Sequence, residues 1–295
     1  MNLLPELQHV CRAQAIKTLK PVSVIHPGCR QLIFALPAFP YPATTGTKMP
    51  MHGVDHRVVL DACRILTNYA AEEQEGYISK DRAGRHPILR HSEVLAPDEY
   101  YYHPAPPATR TEANYPIVTD FAAWKFPDKI PDHWTRPESH TSEQLLALRR
   151  KYTWSMPNDI WYQVTSGDGG CVVTKYLSCA CPMAFAGPGD RTGIHDPANR
   201  LTLCLDLGRL FERHGLVFFP TPVEGKFMAY LCRWNLDYVE PFHRRLVTIS
   251  PRVSEEFLYA RFAHTMIKLV NTLPDSHLNP FPIPEGVKPS KKECE

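Results

Sequence analysis

Two apolar runs near the start of the chain predict β-strands. Residues 22–25 and 31–36 are rich in valine, isoleucine, leucine and phenylalanine, and the turn sequence His26-Pro27-Gly28 separates them. Glycine and proline favour a reversal of the chain at this point. This part of the sequence therefore predicts two strands separated by a turn within a mixed α/β region.

The next periodic segment, residues 55–71, predicts a helix. Asp55 is a suitable residue to cap its start. Apolar residues that recur at steps of four, three and four would form one buried stripe: Val59, Cys63, Leu66 and Ala70. We interpret this helix as a packing element without a chemical role.

Residues 96–137 are rich in proline and predict an irregular connection without long helices, because proline removes backbone donors and favours extended geometry in the preceding residue. The segment is too aromatic for a structureless linker. Its aromatic residues supply enough apolar surface to pack against a core or a ligand: Tyr100, Tyr101, Tyr102, Tyr115, Phe121, Trp124, Phe126 and Trp134.

The second half of the chain contains three further predicted elements. A capping box of Thr141 and Gln144 begins a helix over 141–152, and residues 226–234 predict a strand. Residues 254–270 predict a helix with Ser254 as its N-cap. Its buried face is expected to contain Leu258, Phe262, Met266 and Leu269.

Composition indicates a folded protein that lacks the charge typical of nucleic-acid-binding proteins. The 295 residues are 43% hydrophobic and carry a formal net charge of +2. Such a small basic excess gives no support to binding many phosphates. The arginines around residues 190–245 also alternate with acids, which favours a salt-bridged surface over a continuous basic track.

The cysteines and the N-terminus predict a cytoplasmic or nuclear location. Nine cysteines occur at irregular spacings without a Cys-x-x-Cys pair, and Pro5, Glu6 and His9 interrupt the apolar core that a signal peptide would need. Reduced thiols are therefore expected. The longest apolar runs fall short of the roughly 20 residues that span a bilayer, so no membrane span is predicted.

Residues 170–220 resemble the core of the fungal branch of the HNH endonuclease family. The family places a histidine base on a strand, in a pattern like Ala-Cys-His-Ile-Val-Pro. It places a metal-binding histidine on a helix, in Asp-Leu-His-x-Leu-Phe. The corresponding residues of this chain are Ala180-Cys181-Pro182-Met183-Ala184-Phe185 and Asp206-Leu207-Gly208-Arg209-Leu210-Phe211. The resemblance covers most of 165–270 and, more weakly, HPGCRQLIFALP and VVLDACRI near the start.

The resemblance implies an α+β fold with an HNH-like ββα core inside a larger mixed α/β single domain. Residues 171–174 and 180–185 would be its strands and 203–213 its helix, ended by Gly215 as the C′ residue. We expect an N-terminal mixed α/β region over 1–140 that ends in the proline-rich and aromatic segment. The degenerate core and C-terminal helix would occupy 141–275, and a mobile tail 276–295.

The resemblance also implies that the nuclease chemistry is lost. Asn199 and Asp206 match the family's loop asparagine and helix acid, whereas Pro182 and Gly208 replace the base and the metal ligand. A general base contributes a factor of about 100 to 10,000, and the metal several kcal/mol. Gly208 reflects either drift at an unconstrained position or room opened for a ligand.

Other side chains offer alternatives that carry a plainer structural explanation. His195 or His214 could replace the base, but a structural or surface role is favoured for each. His52 and His56 have helical metal spacing, yet Gly53 lies between them. A soft metal could bind the thiols of Cys171, Cys179 and Cys181, although no fourth ligand is apparent. No metal and no cofactor are predicted.

The sequence therefore favours a recruited enzyme: a metal-independent cyclase of fungal secondary metabolism that folds an apolar polyene, terpenoid or polyketide for ring closure. Asn199, Asp206 and His195 are its candidate catalytic residues. The candidate substrate-binding residues are aromatic: Trp161, Tyr162, Phe185, Phe211, Phe219 and Tyr230. One alternative is a pseudonuclease that binds nucleic acid or a protein partner. A second is an active HNH endonuclease with a relocated base. The oligomeric state is left open.

Overall fold

A computed structural model describes residues 20–41, 52–68, 76–88, 94–104, 115–136, 170–175, 181–184, 197–223, 225–233 and 236–272. Helices and sheets are both present, so the fold is α+β. Contacts divide the chain into two compact units, 1–124 with 266–295, and 125–265, where the sequence predicted a single domain. The predicted boundary at 140/141, the helix over 141–152 and the tail over 276–295 lie outside the described residues.

The first unit contains a four-stranded sheet built around the predicted hairpin. The strands are β1 (Val22–Ile25), β2 (Leu32–Leu36), β5 (Tyr77–Ser79) and β7 (Glu99–His103), in the order β2-β1-β7-β5. Strand β1 is antiparallel to β2 and parallel to β7. Both predicted strands are confirmed, and the structure pairs them as a hairpin. Its turn is organised by His26, whose Nδ1 accepts the Gly28 N–H at 3.0 Å.

Strand β7 corrects the prediction of an irregular segment over 96–137. Tyr100 and Tyr102 alternate into the core with exposures of 1% and 0%, so this part of the segment is a regular strand. Residues 115–136 are irregular, as predicted, apart from short 3₁₀ turns at Phe121–Ala123 and Asp132–Trp134. The proline argument failed at β7 because pairing with β1 and β5 outweighs the local composition.

A second sheet of the first unit leads directly into the predicted helix. Its strands run in the order β3-β4-β6: β3 (Phe39–Pro40), β4 (His52–Asp55) and β6 (Val94–Leu95). Helix α1 (His56–Leu66) follows β4 without a break. His52 therefore lies on a strand and His56 on a helix, so the two histidines do not have helical i, i+4 spacing.

Helix α1 differs from its prediction in two further respects. It is buried on almost all sides and not along one stripe, with nine of its eleven residues buried. The Asp55 side chain makes no capping bond; instead Oδ1 of Asp55 accepts the Tyr41 hydroxyl at 2.5 Å. The helix is thus specified by surrounding packing more than by its cap.

The second unit contains a hairpin followed by a helix. Strand β8 (Cys181–Ala184) pairs antiparallel with β9 (Arg200–Leu203), and helix α2 (Leu205–Glu212) begins immediately after β9. Residues 171–174, predicted as a strand, instead form a turn closed by the Lys175 N–H and the Cys171 carbonyl at 2.8 Å. The two strands of the hairpin are therefore β8 and β9, and 171–174 is not one of them.

The end of α2 also corrects the predicted C′ residue. His214 adopts a left-handed conformation with φ 58°, and its N–H donates to the Phe211 carbonyl at 3.1 Å. The Gly215 N–H donates to the Leu210 carbonyl at 2.8 Å. These two bonds form a Schellman motif in which His214, not Gly215, occupies C′.

The elements after α2 end in the C-terminal helix, which belongs to the second unit up to Thr265 and to the first unit from Met266. They are β10 (Leu216–Pro220), β11 (Lys226–Leu231), α3 (Leu236–Phe242), β12 (Arg245–Thr248) and α4 (Glu255–Thr272). Strands β10, β11 and β12 form an antiparallel sheet. Within the described ranges, no helix combines the length and apolarity needed to cross a membrane.

Helix α4 confirms its prediction. The Ser254 hydroxyl accepts the Glu256 N–H at 3.1 Å, which is the expected capping bond. The predicted face is buried, since none of its four residues is more than 7% exposed: Leu258, Phe262, Met266 and Leu269. The capping serine and the 3.6-residue spacing of the apolar residues therefore both specify this helix.

Arg136 joins the loop before α4 to the start of the helix. Its guanidinium is buried and pairs with the carboxylate of Glu255. It also donates to the carbonyls of Ile249 at 3.0 Å, Ser250 at 3.2 Å and Val253. A single cation thus satisfies one carboxylate and three backbone acceptors that are otherwise expensive to bury.

Replacing Arg136 with methionine is expected to lower the free energy of unfolding by about 3–5 kcal/mol, because Glu255 and the three carbonyls lose their donor inside the protein. Urea unfolding followed by circular dichroism measures the loss. Lys129→Met is the matched control, since the Lys129–Asp132 pair at 2.7 Å is exposed and should contribute little. Equal losses in both variants would contradict the prediction.

Candidate functional site

The candidate site is built on the hairpin β8–β9 and helix α2, because this unit contains the positions that the sequence analysis singled out. Helix α2 packs against both strands of the hairpin. The 3₁₀ turn Pro197–Asn199 ends where β9 begins, and Asn199 is 4% exposed. Pro182 pairs with Thr202 across the hairpin, while Gly208 is buried on α2.

A small depression lies beside Asn199, and we call it the Asn199 depression. Its walls come from the start of β9, from α2 and from the beginning of α4, and its cavity volume is about 20 Å³, room for about one water molecule. The lining is mostly apolar, with one amide and two guanidinium groups: Ala198, Asn199, Arg200, Leu201, Phe211, Val253, Phe257, Leu258 and Arg261.

Arg261 joins the two helices that wall the Asn199 depression. Its guanidinium lies 4.2 Å from the centroid of the Phe211 ring and donates to the Phe211 carbonyl near the end of α2. Burial lowers the pKa of Arg261 to about 10, although the charges of Glu212 and Cys232 partly oppose this shift. Arg261 therefore remains a cation at neutral pH and is held in a fixed orientation.

The loop before α4 is bonded to the same end of the hairpin. The Ser254 N–H donates to the Ala198 carbonyl at 3.1 Å. Nη2 of Arg252 donates to the Arg200 carbonyl at 3.3 Å. These bonds fix the two backbone segments from which the depression is formed.

Arg200 lines the depression, and the guanidinium of Arg252 reaches the Arg200 carbonyl from the loop before α4. Burial, together with the nearby charge of Arg252, lowers the pKa of Arg200. Two neighbouring cations repel each other, and an anion placed between them would relieve the repulsion. The rim is thus basic, although the walls are largely apolar.

The structure separates the predicted catalytic residues. Asn199 lines the depression, whereas Asp206 is exposed in the first turn of α2 and is not among the lining residues. His195 lies outside the described residues. His214 is at the far end of α2, where its Nδ1 is 3.4 Å from Oγ1 of Thr265, and it does not line the depression either.

The predicted aromatic residues also fall in different places. Phe211 lines the depression. Phe219 packs against Trp134 with ring centroids 5.1 Å apart, and Tyr230 against His243 at 4.8 Å, so both are in contact with core residues. Trp161, Tyr162 and Phe185 lie outside the described residues.

The described residues contain no group of three His, Cys, Asp or Glu side chains placed to hold a metal ion. Cys171 is described, Cys179 is not, and Cys181 is described only in its backbone. The soft-metal alternative is therefore not tested by the described residues.

Sequence reasoning missed the contribution of α4 to the site. Phe257, Leu258 and Arg261 are on the first turns of that helix and line the depression. A signal was present in the sequence, because Arg261 falls beside the predicted buried face, where a cation needs a partner. Periodicity alone could not identify that partner as a carbonyl of α2.

The chain matches no protein-family model, no curated protein and no solved structure. The HNH resemblance of residues 165–270 is therefore a proposal.

His243 gives this unit a testable dependence on pH. Its Nδ1 accepts the Leu231 N–H at 3.2 Å, and burial, with a smaller contribution from the charge of Arg244, lowers its pKa to about 3. Between pH 6.5 and 3 the unfolded chain binds a proton at His243 that the folded chain does not. Stability is therefore lost as the pH falls through this window.

In His243→Gln, which keeps an acceptor for the Leu231 N–H, the pH dependence of unfolding should weaken. The histidine contributes a loss of about 1.5 kcal/mol between pH 6.5 and pH 5 in the wild type. Urea unfolding at both pH values measures the difference. Parallel pH profiles for the two proteins would show that His243 is not the responsible group.

Proposed function

We propose that residues 165–270 form a degenerate HNH-like unit that binds a ligand without hydrolysing a phosphodiester. Support comes from the order of hairpin and helix, with Asn199 directly before β9 and Asp206 in the first turn of α2. Pro182 and Gly208 stand where the family has its base and its metal ligand. Proline cannot accept a proton and glycine has no side chain to bind a metal.

We further propose that the ligand is an apolar small molecule and that the Asn199 depression binds part of it. The observation that carries this proposal is the lining, in which apolar side chains surround Asn199 and Arg261. Small-molecule sites typically combine apolar walls with a few placed polar groups. With a volume of about 20 Å³, the described walls would hold only a small terminal group of the ligand.

The proposed activity is cyclisation of that molecule. Ring closure needs the reacting atoms to be held close together, and it needs few polar groups beyond one or two hydrogen-bond donors. The Asn199 amide would donate to a ligand oxygen, and Arg261 would stabilise negative charge that develops there. Leu201, Phe257 and Leu258 would exclude water from the reacting carbons.

A substitution that fills the depression tests the binding site. Ala198→Val is expected to weaken binding of the fluorescent apolar anion 8-anilinonaphthalene-1-sulfonate at least tenfold, because the two added methyl groups fill the small available volume. Fluorescence titration measures the affinity. Val223→Ala, which changes an exposed apolar residue, is the control and should bind the probe as the wild type does. Equal affinities in all three proteins would reject the depression as the site.

Product analysis tests the cyclisation. Linear polyenes, terpenoids and polyketides are incubated with the protein, and chromatography with mass spectrometry detects products of unchanged mass and altered retention. Asn199→Ala should reduce the rate about 100-fold if its amide stabilises the transition state. Absence of any isomer across these three compound classes would refute the proposed activity.

A second candidate function, binding of nucleic acid by a pseudonuclease, is favoured by the basic rim. Arg200 and Arg252 lie close enough for the charge of one to affect the other, and paired guanidinium groups suit phosphate oxygens. The low net charge of the whole chain is against an extended track. The rim would therefore contact few phosphates.

DNA-binding and cleavage measurements separate the candidates. If the cyclase proposal holds, double-stranded DNA binds weakly and with little dependence on salt, and plasmid DNA with Mg²⁺ or Mn²⁺ stays intact. Tight, salt-dependent binding that Arg252→Gln weakens and Arg209→Gln does not would favour the pseudonuclease, since Arg209 is an exposed arginine outside the rim. Nicking abolished by Asn199→Ala would establish an active nuclease.

A further inference from the structure

Two cysteines distant in sequence lie side by side in the second unit. The Val172 N–H donates to the Thr202 carbonyl at 3.0 Å, which holds the turn at 170–175 against strand β9. Cys204 follows that strand and is the N-cap residue of α2. The two cysteines lie close enough together for the charge of Cys171 to act on the Cys204 thiol, and neither is in a disulfide.

The Cys171 sulfur is surrounded by donors. The Thr174 N–H lies 3.4 Å from it, and the Thr174 hydroxyl and the N–H groups of Val173 and Cys204 also donate to it. Cys171 is fully buried, while Cys204 is partly exposed. One sulfur is thus enclosed within a group of donors, and the other is accessible from solvent.

This environment makes the two thiols differ in acidity. Burial opposes ionisation of Cys171, but the hydrogen bonds from Thr174, Cys204 and Val173 outweigh it and lower its pKa. Burial and the neighbouring charge of Cys171 raise the pKa of Cys204. Cys171 is therefore the more acidic thiol of the pair, and because it is enclosed, its thiolate can attack only a sulfur already placed beside it.

We propose that Cys171 and Cys204 are a redox-active dithiol that forms a reversible disulfide by exchange with a low-molecular-weight disulfide such as glutathione disulfide. The accessible Cys204 loses its proton to solvent and attacks one sulfur of the small disulfide, which releases a first thiolate. The Cys171 thiolate then attacks the Cys204 sulfur and displaces the second thiolate. Two cysteines are oxidised and one small disulfide is reduced to two thiols.

The new bond would join the turn at 170–175 to the first turn of α2. Strand β9 (Arg200–Leu203) has Asn199 directly before it and Cys204 directly after it, so the cross-link would fix the end of the strand away from Asn199. A cross-link between residues 171 and 204 also removes freedom from the unfolded chain, which raises the midpoint of unfolding. The proposal does not depend on the function suggested for the depression.

Peptide mapping of the full chain tests the proposal. The protein is equilibrated in buffers of increasing ratio of oxidised to reduced glutathione, free thiols are blocked with N-ethylmaleimide in acid, and the digest is analysed without reduction. The expected product is a linked peptide pair containing Cys171 and Cys204, which dithiothreitol separates again. A link from Cys171 to any cysteine other than Cys204 overturns the proposal.

Single variants test the order of the two steps. Cys171→Ser should leave Cys204 as a mixed disulfide with glutathione, because the second attack is missing. Cys204→Ser should leave Cys171 largely unmodified, because that sulfur is enclosed. Cys232→Ser is the matched control for loss of a buried thiol and should keep the Cys171–Cys204 link.

The unfolding midpoint provides a readout that is independent of trapping. In the wild type it should be higher in oxidised than in reduced buffer, and in Cys232→Ser the same difference should persist. Both cysteine-pair variants should lose it, even if their reduced forms are less stable. A wild type with identical midpoints in the two buffers and no linked peptide would refute the dithiol.

Discussion

The second unit depends on one buried cation. The Arg136 guanidinium binds the Glu255 carboxylate and three carbonyls of the loop over 249–253, and it lies 5.7 Å from the centroid of the Phe227 ring. That loop determines where α4 begins, and α4 supplies Phe257, Leu258 and Arg261 to the depression. The positions of these lining residues therefore depend on Arg136, because its buried charge would be costly to leave unpaired.

Local patterns were sufficient where an element's own residues specify it. The two strands over 22–36 and the helix begun by Ser254 were predicted correctly because a turn sequence and a capping serine act on their immediate neighbours. The same reasoning failed at 171–174. Its three β-branched residues have strand composition, but the Cys171 carbonyl accepts the Lys175 N–H and closes a turn.

Errors arose where distant contacts override local preference. Pairing with β1 and β5 makes 99–103 a strand despite its proline-rich surroundings. His214 adopts the left-handed position that glycine usually takes, although Gly215 is the next residue. The candidate site was predicted in part, since Asn199 and Phe211 both line the depression. The spacing of apolar residues could not predict that Arg261 of α4 donates to the carbonyl of Phe211.

The bond from Arg261 to α2 has a consequence for recognition. The walls on α2 and α4 cannot separate without breaking a charge-assisted hydrogen bond and removing a guanidinium from an aromatic face. The depression is therefore pre-organised. A ligand that matches its shape binds without ordering these walls, and a ligand that is too wide must first overcome the coupling between the two helices.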